Sequence, residues 1–231
     1  MIEVKNLTKI YGGTTVLSIP ELLIRENESF GLVGNNGAGK TTFFRLVLDL
    51  IRANSGWVKS KSKDVKGTTE WKFYTGAHLD DRFLIEFLSP EEYFEFISQV
   101  HHMSKGDLDL FYQEYDEFFA GEILGKKKYI RDFSHGNKQK IGVSAALMAK
   151  PEIVVLDEPF NGLDPSTQMR LIRILNDLKR NTGTTLLISS HDLNHVTEVC
   201  DRIVILESGE IRYDMQKNES TLKELEAYFA R

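Results

Sequence analysis

The octapeptide Gly34-Asn35-Asn36-Gly37-Ala38-Gly39-Lys40-Thr41 fits the pattern G-x-x-x-x-G-K-[ST], whose chemistry follows from its residue types. The glycines let backbone N–H groups converge on phosphates at the positive end of a following helix. Lys40 brings a compact positive charge to the outer phosphates, and Thr41 a hard oxygen for Mg2+. A second constellation ends the apolar run Ile153 to Leu156, which delivers Asp157 and Glu158 in succession before Pro159 stops it. Adjacent acids there suit a division of labour in which Asp157 holds Mg2+ through water and Glu158 polarises an attacking water. Ser134-His135-Gly136-Asn137 precedes a helix predicted over Lys138 to Met148, and reads either as a second anion site or as an ordinary N-cap. His191, in Ser189-Ser190-His191-Asp192, follows an apolar run from Thr184, where open α/β sheets place ligand groups.

These residues need elements to hold them, and the pattern of the chain supplies candidates. Ile2 to Ile24 alternates in a β-like way around Gly12-Gly13. Ser29 to Val33 reads as a strand running straight into the glycine loop, and Thr42 to Ile51 as an apolar helix ended by Asn54-Ser55-Gly56. Lys59 to Lys66 is polar and lysine-rich, a solvated hairpin or loop. Between Phe83 and Phe119 the period turns helical. Ser89-Pro90-Glu91-Glu92 is a capping box with proline at the first helical position, and Leu108 to Phe119 repeats helical spacing in a second helix. Ten of the 24 aromatic residues fall in this stretch, enough either for its own core or for an exposed aromatic groove. After Pro151 the α/β alternation returns, with strands at Ile153 to Leu156, Thr184 to Ser189 and Ile203 to Leu206. Helices are predicted at Arg170 to Lys179, Leu193 to Cys200 and Ser220 to Phe229.

Composition narrows the partners. With 34 acidic against 29 basic side chains and a net charge of −5, no chain-wide basic surface for nucleic acid exists. No apolar stretch approaches the roughly 18 residues of a membrane span, and Met1 to Lys9 does not read as a signal peptide. Cys200 is the one cysteine and reads as buried and structural, while His101 and His102 read as solvated.

Taken in order, these elements resemble the ATP-binding subunit of ABC transporters over nearly the whole chain. Leu7 to Gly12 looks like the family's opening, which implies that Tyr11 stacks on adenine. Gly34 to Thr42 would hold the phosphates. Phe133-Ser134-His135-Gly136-Asn137 is similar to the signature motif, with His135 and Asn137 replacing its usual Gly and Gln. Val155-Leu156-Asp157-Glu158-Pro159 matches the Walker B segment, Asn161-Gly162-Leu163-Asp164 the loop that crosses the dimer interface, and His191 the switch histidine. The implied fold is α/β: a RecA-like P-loop NTPase core with an N-terminal antiparallel β subdomain (1–80 and 151–231) and an inserted helical subdomain carrying the signature (81–150).

The resemblance further implies two subunits packed head to tail, as a homodimer or a heterodimer. ATP and Mg2+ then lie between the phosphate loop of one subunit and Ser134, Gly136 and Asn137 of the other. Lys40, Glu158 and His191 are the expected catalytic residues, and Thr41 and Asp157 the metal ligands. Asp80 stands where the family usually has the glutamine of its Q-loop, and reads either as a contact to the metal or its water or as a solvated loop acid. The function so implied is an ATPase that powers transport through a separate membrane permease, from the cytoplasmic face of a membrane in a bacterial cell. The continuation Lys138-Gln139-Lys140 is more similar to exporter-type (ABC-2) subunits. A soluble ABC ATPase without a transport role, and a non-hydrolysing ATP-dependent clamp, stay open as alternatives.

Overall fold

In the computed structural model, which describes residues 1–230, the chain opens with a long hairpin, β1 (Ile2–Tyr11) and β2 (Thr14–Ile24), turned by Gly12 and Gly13 at positive φ. Strand β3 (Ser29–Val33) leads through the glycine loop into helix α1 (Lys40–Val47). Next come β4 (Ser55–Ser60), β5 (Lys63–Asp64) and β6 (Thr75–His78). The inserted helices are α2 (Pro90–Val100), α3 (Lys105–Glu114), α4 (Asp116–Phe119) and α5 (His135–Leu147). The chain closes with β7 (Ile153–Asp157), α6 (Pro165–Thr182), β8 (Thr185–Ser190), α7 (Leu193–Val199), β9 (Arg202–Glu207), β10 (Glu210–Gln216) and α8 (Thr221–Phe229).

Two sheets result. The antiparallel sheet has the order β2-β1-β4-β5, and the larger sheet the order β10-β9-β3-β8-β7-β6, parallel except for β10. Strands β3, β7 and β8 are buried along their whole lengths, so each reads as an unbroken apolar or small-residue run. One face of the large sheet packs with α1 on the antiparallel sheet, through Phe30, Phe43, Phe44, Val155 and Leu187. The other face shares a hydrophobic cluster with the inserted helices and with α6 to α8, through Val154, Leu156, Ile141, Phe94 and Leu171.

Several boundaries differ from the sequence expectation for identifiable reasons. Helix α1 begins two residues earlier and ends at Val47, because Asp49 takes a left-handed conformation and Leu50 N–H closes back on Arg45 C=O at 2.8 Å. Ser55 and Gly56, expected to end that helix, belong to β4. Strands β6 and β10 are additional. The first is Thr-Gly-Ala-His, with no apolar run, while Ile211, Tyr213 and Met215 of the second do alternate. The helix expected over Leu108 to Phe119 breaks at Tyr115, and the bend turns Tyr115, Phe118 and Phe119 all inward. Ser220 precedes α8 without capping it, its hydroxyl pairing instead with the Glu224 carboxylate. Cys200 is buried as expected, whereas His101 is half-buried beside Tyr93 and Ile97.

The aromatic residues of the insertion divide between both readings. Phe94, fully buried, stacks edge-on against Phe111 at 5.1 Å and lies 5.7 Å from Phe119, while Phe83, Phe87 and Phe96 stay exposed. Phe94→Ala is expected to cost ~3–5 kcal/mol of unfolding free energy by the cavity it leaves. Urea denaturation followed by circular dichroism measures this, and a loss under about 1 kcal/mol would show that the aromatic cluster is not the insertion's core.

Candidate functional site

The parallel register decides what meets. Val33 pairs with Ser190 and Asp157 with Ser189, so the carboxyl ends of β3, β7 and β8 deliver Gly34, Glu158 and His191 to one edge of the sheet. At that edge the glycine loop is shaped by Gly37 at φ +83° and Gly39 at φ +109°, conformations that side-chain-bearing residues rarely adopt. Gly34 passes so close to the Leu206 carbonyl that a Cβ would lie 2.3 Å from its oxygen. Helix α1 starts from Gly39 with no side-chain cap and no acid in its first turn. By contrast, α2, α3, α5, α6 and α7 each begin with a serine or aspartate oxygen accepting a first-turn N–H. The free N–H groups of α1 therefore face the loop, where an anion is favoured.

Lys40 is buried, and its Nζ donates to Gly34 C=O at 2.6 Å and meets Glu158 Oε1 at 3.2 Å. The other Glu158 oxygen accepts from His191 at 2.8 Å from Nδ1 and 3.2 Å from the backbone N–H. Glu158 has φ +50°, a strained conformation for glutamate that the surroundings impose. Its N–H donates to Ser189 C=O and Oγ at 3.2 and 2.9 Å, and its C=O accepts from Gln139 Nε2 at 3.3 Å. Asp157 accepts from Thr41 Oγ1 at 2.5 Å and from the Ser189 hydroxyl. Burial raises the Asp157 carboxyl above its ordinary value, and the Ser189 and Thr41 hydroxyls oppose that rise. This pair of hard oxygens, Thr41 Oγ1 and Asp157, is a donor set that fits Mg2+. A cavity of about 270 Å³ lies over the loop, lined by Tyr11, Val16, Asn35 to Thr42 and Glu158. Tyr11, half exposed, stands at its margin with Lys9 Nζ 4.7 Å from its ring.

The remaining expected residues lie elsewhere. Ser134 caps α5, accepting from Asn137 N–H at 3.3 Å, and neither it nor Gly136 lines the cavity of its own chain. Gly136 abuts Gly162, with room for no Cβ before the Gly162 carbonyl at 2.3 Å, so the signature and the loop after β7 form one surface. The His135 ring lies against Gly162 and its Nδ1 bonds Asp81 at 2.8 Å. Asp80 is clasped by Arg82, at 2.9 Å from Nε and 2.7 Å from Nη2, and lies 3.4 Å from Arg45 on α1. The Arg82 guanidinium is the main reason that the Asp80 carboxyl sits below its usual range.

Sequence reasoning missed Ser189, Gln139 and His78. Ser189 is fully buried and bridges the two acids; its place before His191 at a strand end was the available signal. Gln139 and His78 pair across 61 residues, which no local pattern reveals.

The family profile described as ABC transporter matches residues 17–161. The chain belongs to the ABC transporter family. The bacitracin transport ATP-binding protein BcrA of Enterococcus faecalis is 32% identical over 225 residues, 95% of this chain and 70% of that protein. The linearmycin resistance ATP-binding protein LnrL of Bacillus subtilis (strain 168) is 32% identical over 212 residues, 91% of this chain and 68% of the relative. Among solved structures, an ATP-binding subunit of an ABC transporter covers both chains fully, with a TM-score of 0.85 and 24% identity. The dimeric post-hydrolysis state of the cassette MJ0796 bound to ADP and Pi has a TM-score of 0.82 and 22% identity, covering 94% of this chain and 98% of that one. These two likenesses carry the fold, the P-loop cassette expected from the sequence. Within its family this ABC chain is the ATP-binding, ATP-hydrolysing subunit of a transporter. Among the described residues no helix is long and apolar enough to cross a membrane.

Proposed function

We propose that this chain hydrolyses ATP between two subunits and thereby drives a separate integral membrane permease, as a peripheral protein at the cytoplasmic face. The observation that carries the reading is the Lys40–Glu158–His191 cluster beside Thr41 and Asp157, over a helix start left uncapped. Tyr11 stacks on adenine, and the N–H groups of Gly34 to Thr42 take the phosphates. Lys40 Nζ leaves Glu158 and Gly34 C=O for the outer phosphate, which frees the Glu158 carboxylate to polarise the attacking water. His191 then bonds the γ-phosphate and holds the water on line. Thr41 and Asp157 would hold Mg2+, which when bound would neutralise phosphate charge.

Ser134, Gly136 and Asn137 lie off their own chain's cavity, which supports their serving the nucleotide of a partner subunit, a second copy or a close relative. ATP is then the glue between subunits and hydrolysis the release. Glu158→Gln is expected to lower turnover by about 10²–10⁴-fold and to leave an ATP-bound dimer in size-exclusion chromatography. A variant that turns over like wild type would remove Glu158 from the reaction.

Asp80 is held by Arg82 and would serve the metal only on releasing that guanidinium. Asp80→Asn should then raise the Mg2+ concentration for half-maximal turnover severalfold, on the order of one lost charged hydrogen bond. An unchanged Mg2+ dependence would leave Asp80 as the partner of Arg82 and nothing more.

The permease meets the groove formed by Phe83, Leu84, Tyr93, Ile97, His101 and Ala146, a cavity of about 170 Å³ beside exposed aromatic rings. Relatives named for bacitracin transport and linearmycin resistance support an exporter. Coexpression with a neighbouring integral membrane protein should bring the tagged subunit into the membrane fraction, and Ile97→Glu should return it to the supernatant. A subunit that stays in the supernatant with every candidate partner would overturn the coupling to a permease.

A further inference from the structure

Behind the catalytic edge lies a buried hydrogen-bonded chain that the hydrolysis reading above does not use. His78 ends β6 and Gln139 lies one turn into α5; both are less than 5% exposed. Gln139 Nε2 donates to the Glu158 carbonyl at 3.3 Å, so its Oε1 is the atom that faces His78 Nε2 at 3.2 Å. An amide held this way accepts only if the imidazole presents its Nε2–H. The opposite tautomer would flip the amide, turning its oxygen toward the Glu158 oxygen and leaving two acceptors facing each other. The ring itself is fixed by Gly142, where a Cβ would lie 2.1 Å from His78 Cε1. Glu158 is the non-glycine residue at that edge whose backbone is left-handed, and Gln139 is the side chain that holds its carbonyl, beside the Asn161 N–H at 3.1 Å.

We infer that His78 is a positioning residue for hydrolysis: through Gln139 it fixes the left-handed backbone of Glu158 and so the direction of the carboxylate. This rests on the reading of Glu158 as the group that polarises water. Because the imidazole also lines the groove beside Tyr93 and Ile97, the same two hydrogen bonds join the groove wall to that group.

The test is steady-state ATPase kinetics of the full chain with Mg-ATP. His78→Phe keeps a ring against Gly142 and removes the donor; kcat is expected to fall about tenfold while KM for ATP stays within about twofold. His78→Gln, whose amide can donate from the same place, should restore most of that loss. Gln139→Met should match His78→Phe, and the double variant should fall no further than either, since both break one chain. If His78→Phe does not fold, the contrast between His78→Gln near wild type and Gln139→Met tenfold down stands in its place. Wild-type kcat in His78→Phe, or equal losses in His78→Gln and His78→Phe, would overturn the inference. Glu158→Gln, assayed alongside, reports separately on the underlying reading, because its turnover does not depend on what His78 does.

Discussion

Everything at the catalytic edge depends on the register of β8 between β3 and β7. Pairing Val33 with Ser190 and Asp157 with Ser189 sets the loop, the two acids and His191 at one height. A slip of one residue in β8 would exchange its two faces, each of which is packed into a different hydrophobic cluster. Leu187 faces the antiparallel sheet, while Leu186 and Ile188 face the helices. The register is thus enforced from both sides by burial, and the positions of the polar groups follow from it.

Around that frame the charges hold one another. Lys40 and Glu158 are both largely withdrawn from water, where an unpaired charge costs several kcal/mol, of the order measured when a buried pair is broken. The pair with Glu158, and the carbonyl of Gly34, meet that demand for Lys40. A phosphate satisfies it equally well. In the proposed function, binding a nucleotide exchanges one partner of Lys40 for another, and the glutamate is released by the same event. The strained φ of Glu158 is sustained by four hydrogen bonds to its backbone, from or to Ser189, Gln139 and Asn161.

The inserted helices are tied to this edge and not merely appended to it. Their aromatic core continues into the sheet's own cluster through α5. The start of α5 leans on Gly162 just after β7, and His135 reaches to Asp81 beside the clasped Asp80. A movement of the insertion would accordingly act on the loop after β7, on the Asp80 segment and on Gln139 together.

How much of this was legible in the chain depends on the range of the interaction. The glycine loop, the acids after β7, and the caps at Ser89 and Ser134 are set by neighbours within four residues, so spacing alone identified them. Buried strands β3, β7 and β8 announced themselves as runs built on an apolar core, bordered in β8 by Thr185, Ser189 and Ser190. By itself the sequence determined the fold class, the glycine loop and the identity of the chemical groups, because local geometry and hydrophobic pattern act at short range. Only the tertiary structure decided that Asp80 is held by Arg82 and Arg45, that the signature stands off its own cavity, and that His78 reaches Glu158 through Gln139. Arg82 is a near neighbour of Asp80 in sequence, but Arg45 reaches it from α1 across 35 positions, and His78 and Gln139, 61 positions apart, are brought within hydrogen-bonding distance by the packing of α5 against β6 and β7.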